Sequence, residues 1–128
     1  MNIRRYTVED YKVVTSWWKA HNWPILPEQY LPKTGYVISN ICAGWLYRTD
    51  SKIAWIEWII SNPKSNKLER AIGIKLLVKT LLDKAKELGF DVVFSSIKHP
   101  NLMAQFKSQG FVVADEGMIN MINRLEKN

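Results

Sequence analysis

The chain has 128 residues, the size of one domain, and its 47% hydrophobic and 23% charged residues exclude disorder as the main state. Its 18 Lys and Arg against 12 Asp and Glu leave +6, a balance that suits a phosphate- or carboxylate-bearing partner: nucleic acid, a nucleotide cofactor or an acidic surface. A lone cysteine, Cys42, excludes an internal disulfide, no run approaches the roughly 18 apolar residues of a membrane span, and no charged start leads into an apolar leader, so a cytoplasmic location is expected.

Asn2 to Tyr6 reads as a short strand, and Thr7-Val8-Glu9-Asp10 offers a hydroxyl cap with a carboxylate three residues on. A helix to Ala20 is expected from the spacing of Tyr11, Val14, Trp17 and Trp18. Pro24, Pro27 and Pro32 then forbid a long regular element and predict a loop. Gly35 introduces Tyr36 to Ser39, and Ile41 to Tyr47 and Ile53 to Ser61 complete three antiparallel strands, the last two joined by a polar turn.

A helix from Leu68 to Leu88 follows, with Ile74, Leu77, Leu81 and Leu88 turned inward and Gly89 as its stop. The apolar strand Asp91 to Ile97 comes after it, so the helix is a crossover and the sheet must contain a parallel pair. His99-Pro100-Asn101 opens a short helix ending at Gly110, and Phe111 to Ala114 with Met118 to Ile122 form an expected hairpin around Asp115-Glu116-Gly117. The prediction is a single α/β (α+β) domain over 1–128, with a mixed, mostly antiparallel sheet of about seven strands flanked by helices.

Glu57 is the single carboxylate in Ile53-Ala54-Trp55-Ile56-Glu57-Trp58-Ile59-Ile60, and strand alternation puts it on the face of Trp55 and Ile59. Apolar neighbours raise a carboxylate's pKa, which suits a general base near neutral pH; a sheet-edge Glu paired with a basic neighbour is the alternative. Lys64, Lys67 and Arg70 crowd a helix start, where cations are unfavourable by about 0.3–1 kcal/mol, and a bound anion would remove the conflict. Trp17, Trp18, Trp23 and Tyr30 either line an aromatic pocket or make core packing with an oligomer contact. No metal-ligand spacing and no Gly-x-Ser-x-Gly elbow occurs.

The order of elements, with Ile56-Glu57-Trp58-Ile59-Ile60-Ser61-Asn62-Pro63 running into a long helix and then Gly89-Phe90 and Asn101 to Phe111, resembles the GNAT superfamily of N-acetyltransferases over nearly the whole chain. The resemblance implies acetyl-CoA as acyl donor, held along Trp58, Ile59, Ile60 and Ser61 and at a helix start by Lys67, Arg70, Ala71 and Gly73. The family's glycine-rich turn is reduced here to Arg70-Ala71-Ile72-Gly73-Ile74-Lys75, with Lys75 where the family has Gly or Ala; close helix packing is the other role for Gly73. Asn101 matches the family's Asn beside the acyl-CoA arm, or it is a helix cap. Phe106 stands where many members carry a Tyr acid, which leaves it as cleft wall or core. Glu57 falls where the family places its base.

The implied activity is acetyl transfer to an amine by direct attack, with no membrane partner and an aromatic face open to a homodimer contact. The alternative is a non-catalytic domain of the same fold that binds nucleic acid or another protein, which the charge and the six tryptophans also suit. The sequence does not name the amine.

Overall fold

A computed structural model describes residues 1–126. One sheet of five strands runs in chain order: β1 (Ile3–Arg5), β2 (Gly35–Ile38), β3 (Cys42–Tyr47), β4 (Ile53–Ser61) and β5 (Val92–Phe94). The first four pair antiparallel, and β5 lies parallel to β4 after the crossover helix α2 (Lys67–Glu87). Helix α1 (Tyr11–Ala20) connects β1 to the Pro-rich loop, which holds one tight turn at Glu28–Tyr30, and helix α3 (Pro100–Lys107) follows β5. No helix among the described residues is long and apolar enough to cross a membrane.

Alternation along the strands builds two cores. Ile38, Cys42, Leu46, Ala54 and Ile56 face α2, where Leu77, Val78, Leu81 and Ala85 meet them with Phe106 of α3. Val37, Ala43, Trp45 and Ile60 face the other way, onto Val14, Trp17 and Trp18 of α1. Tyr6 and Trp18 both pack against Trp45, at ring-centroid distances of 5.2 and 6.3 Å. The Trp45 indole lies against Gly35, where an added Cβ would sit 2.4 Å from its Cδ1.

Two local details depart from the expected pattern. Thr7 N–H donates to Asp10 Oδ2 at 2.9 Å, and Arg4 grips the same carboxylate through two nitrogens at 2.8 and 2.6 Å. The Asp10 carboxyl is held below its ordinary value chiefly by that Arg4 bond, so the acid of the turn joins β1 to α1 as well as capping. In α3 the capping position falls on His99, with Pro100 as the first helical residue, and Asn101 is an exposed first-turn residue rather than the cap.

The sheet has five strands, not seven. Residues 111–126 form no ladder, although Gly117 turns at φ 70° as a hairpin centre would. Val112, Ile119 and Ile122 are 84, 83 and 86% exposed, and of the two runs only Phe111 is partly covered, by Phe106. Two short strands joined by a turn are marginal without a surface to pack on, and alternation alone cannot supply that surface. Strand β5 also stops at Phe94 instead of Ile97, because the chain turns to bring Ser95 and Ser96 against β4.

Candidate active site

The site begins with a fault in β4. Ala43 pairs with Ile60 but Trp45 pairs with Glu57, so three residues of β4 span two of β3. The extra residue is taken up at Trp58, whose φ of 64° is left-handed and unusual for an aromatic side chain. The bulge shifts the alternation by one. Ile59 turns to the α2 core with Ala54 and Ile56, and Trp58 packs with Ile60 in the α1 core. Glu57 therefore shares a face with Trp55 but not with Ile59, which corrects the plain alternation expected from sequence.

Beside the bulge, β4 and β5 part. Their ladder covers Ile53↔Val92, Ala54↔Val93 and Trp55↔Phe94, and the Trp55 and Phe94 rings stack at 5.0 Å. Strand β4 runs on to Ser61, so among the described residues no strand pairs with 56–61 on that side. Two bonds hold the mouth of the gap: Ser95 Oγ donates to the Ile56 carbonyl at 2.6 Å, and Ser96 N–H donates to Glu57 Oε1 at 2.7 Å. The second bond aims Glu57 into the opening.

Burial pushes the Glu57 carboxyl above its ordinary value, and the Ser96 N–H partly offsets that shift. Tyr47 is raised by burial, an effect offset by the Trp58 indole and strengthened by the Glu57 charge. The Tyr47 hydroxyl donates to the Tyr30 carbonyl at 2.9 Å, and Tyr11 does the same to Leu26 at 2.7 Å. These two phenols pin the Pro-rich loop to α1 and to the end of β3.

At the far end of β4 the chain turns through 62–66 into α2. Asn66 caps this helix through Oδ1, which accepts from the N–H groups of Leu68 and Glu69 at 2.8 and 3.3 Å. Arg70 bonds the Pro63 carbonyl at 3.1 Å, and Lys64 and Lys67 are exposed nearby. Three cations thus surround a helix start whose first donors are largely engaged by the chain itself.

The expected site residues separate into two groups. Glu57, Trp58, Ser61, Lys67 and Arg70 lie along the gap and its end, and Ile59 and Ile60 contribute main chain while their side chains are buried. Gly73 lies two turns into α2, against Ile41 and Cys42, where a Cβ would come within 2.7 Å of Ile41 Cγ2. It allows helix and sheet to approach and does not line the helix start. Ala71 is exposed on α2, its carbonyl accepting from Gln105 Nε2 at 3.1 Å. Phe106 is 1% exposed and belongs to the core. Trp17 and Trp18 are core residues at 5 and 0%, whereas Trp23 is half-buried and Tyr30 exposed at the loop.

Several site residues escape the sequence reading. Asn66 carries a legible signal, since Asn66-Lys67-Leu68-Glu69 has the spacing of a capping box. Ser95 and Ser96 show themselves only as a polar pair that ends an apolar run. His21, whose Nε2 lies 3.0 Å from the Ser61 carbonyl, joins α1 to the end of β4 with no local signal.

No protein-family profile matches this sequence, and no curated protein matches it either. Solved structures do match. Rv2747 from Mycobacterium tuberculosis, in complex with CoA, superposes with a TM-score of 0.74 at 16% identity over 94% of this chain and 76% of its own. The ribosomal-protein-S18-alanine N-acetyltransferase from Escherichia coli gives 0.71 at 14% identity over 89 and 79%. The GNAT family acetyltransferase SP0256 from Streptococcus pneumoniae gives 0.70 at 21% identity over 96 and 98%. The chain therefore has the fold of the GNAT acetyltransferases, as the order of its elements suggested.

Proposed function

We propose that this protein is an acetyl-CoA-dependent N-acetyltransferase, with Glu57 as its general base. The observation that carries the reading is the half-buried Glu57 carboxylate, raised in pKa and fixed by Ser96 at the point where β4 and β5 separate. Acetyl-CoA, when bound, supplies an activated acyl group and a thiol leaving group. The side of Trp58, Ile59, Ile60 and Ser61 turned away from β3 has no strand beside it among the described residues and offers an extended arm hydrogen bonds that a neighbouring strand would make. Lys67 and Arg70 offer charge to its phosphates. Asn101, exposed on the first turn of α3, is available to the same arm.

Glu57 accepts a proton from the acceptor ammonium or amine, directly or through one water, and the gap holds the amine beside the acyl carbon. No side-chain acid is assigned to the leaving group. Phe106 has no proton to give, and a thiol with a pKa of roughly 8.5 departs acceptably as its thiolate. Trp23 and Tyr30, on the pinned loop, form the acceptor side, and the acceptor is an amine. We place the reaction in the cytoplasm.

The test couples binding to turnover. Acetyl-CoA raises Tm by mass action, and Arg70→Glu reduces the rise. Thiol release with a panel of primary amines then falls by about 10²–10⁴ in Glu57→Gln, while the Tm rise persists. Because burial raises the Glu57 carboxyl above its ordinary value, the parent loses turnover as pH falls through that raised value. An unchanged melting curve in millimolar acetyl-CoA would overturn the reading.

A further inference from the structure

The β5 edge of the sheet is open. Strand β5 has β4 on one side and no strand on the other among the described residues, so one row of its main-chain groups is unpaired. Between this edge, α3 and the segment 111–120 lies a groove of about 1520 Å³. The segment flanks the groove and makes no ladder across it.

The charges on the two sides are opposite and unmatched. Lys86, Lys98 and Lys107 line the wall, and Asp115 and Glu116 lie on the segment. The ion pairs among the described residues are Arg4 with Asp10, Lys79 with Asp83 and Lys84 with Glu87, so none of these five is engaged. Beyond Asn120, where the groove lining ends, Met121, Ile122 and Leu125 are 91, 86 and 83% exposed. Monomeric proteins rarely present so much contiguous apolar surface.

We propose that a second copy of this chain lays its Met118–Ile122 run along the open edge of β5, so that two copies exchange C-terminal segments reciprocally. A two-fold operation suits the geometry. Each copy carries both the edge and the segment, and when the exchange is reciprocal across a two-fold axis the contact closes as a dimer. The added strand pairs the free β5 main chain, its alternate apolar residues enter the groove, and Asp115 and Glu116 meet the three lysines. The far end of the segment, which has no surface of its own chain to cover it, is buried by the partner.

Sedimentation equilibrium of the full chain is expected to give twice 14.9 kDa at micromolar concentrations. Ile119→Asp with Ile122→Asp, at positions 83 and 86% exposed within one chain, returns the monomer mass without lowering the melting temperature extrapolated to low concentration. A second measurement does not depend on those variants. Chains carrying Val92→Cys are mixed with chains carrying Ile119→Cys under mild oxidation, and a disulfide-linked heterodimer is expected; the native Cys42 is buried and does not compete. A monomeric full chain overturns the proposal. So does a Val92→Cys, Ile119→Cys double variant that closes its disulfide within one chain, since the segment then serves its own edge.

Discussion

Gly35→Ala tests how tightly the α1 core is built. A Cβ at this position would lie 2.4 Å from Trp45 Cδ1, 2.6 Å from Nε1 and 3.1 Å from Cγ, all in a ring that is fully buried. The indole cannot swing aside. Tyr6 packs edge-on to it at 5.2 Å and Trp18 lies at 6.3 Å, so relief must come from the main chain of β2 or β3. Overpacking of a rigid core costs about 1–3 kcal/mol, and the upper part of that range applies because the blocked group is aromatic. Replacing a strand glycine returns about 0.5–1 kcal/mol of backbone entropy, leaving a net loss of about 2 kcal/mol. At about 2.1 cal/mol/K of unfolding entropy per residue, this chain loses roughly 7 °C of Tm. Calorimetry measures the shift directly. Trp45→Leu removes the ring atoms that the Cβ would meet, so Gly35→Ala should cost less in that background than in the parent. A parent-like Tm for Gly35→Ala, or strictly additive effects in the pair, would refute the packing argument.

Three further outcomes are expected. Asp10→Asn should lose about 1 kcal/mol at pH 7, a figure kept low because Arg4 is 47% exposed. Since folding lowers the Asp10 pKa, that stability is complete above the unfolded value and disappears as pH falls through the folded one; urea unfolding at pH 7 and pH 3 should show the gap between parent and variant closing. Phe106→Tyr places a hydroxyl among core side chains, with the Phe111 ring 4.7 Å away, so it should cost about 1–3 kcal/mol and leave acetyl transfer no faster. Faster turnover at unchanged Tm would put this position at the leaving group instead. The Cys42 thiol, pushed up to about 12 by burial, should resist alkylation at pH 8 until urea unfolds the chain; prompt native labelling would contradict its burial.

Elements with strong local signals are legible in the sequence. The expected bounds of β4 and the body of α2 match the structure, because an apolar run and a long amphipathic pattern each point to one solution. The failures share a different cause. The bulge at Trp58 comes from a pairing with β3, so no property of Trp58 itself announces that Ile59 will change faces. Gly73 looks like part of a ligand turn because the short pattern around it contains the right residue types, yet its position is set by what the sheet places opposite it. Phe111 to Ala114 and Met118 to Ile122 read as hairpin arms around Asp115-Glu116-Gly117, but apolar runs become strands only when something is there to cover them. Glu57 is the intermediate case. An acid in an apolar strand is visible from sequence, whereas the Ser96 N–H that orients it depends on where β5 ends.

The strand order has a kinetic consequence. Because β2, β3 and β4 are consecutive in both chain and sheet, the meander from 35 to 61 closes through two short turns and has the low entropy cost of local pairing. The two outer strands join only after long closures, β1 across 6–34 and β5 across 62–91. Meander and α2 are thus the natural nucleus, with the edges added late. Substitutions such as Gly35→Ala should then slow folding, while equally destabilising changes in β1 or β5 should mainly speed unfolding. The gap beside Glu57, bordered on one side by the late strand β5, would be completed in the last steps of folding and be among the first features lost when the protein opens.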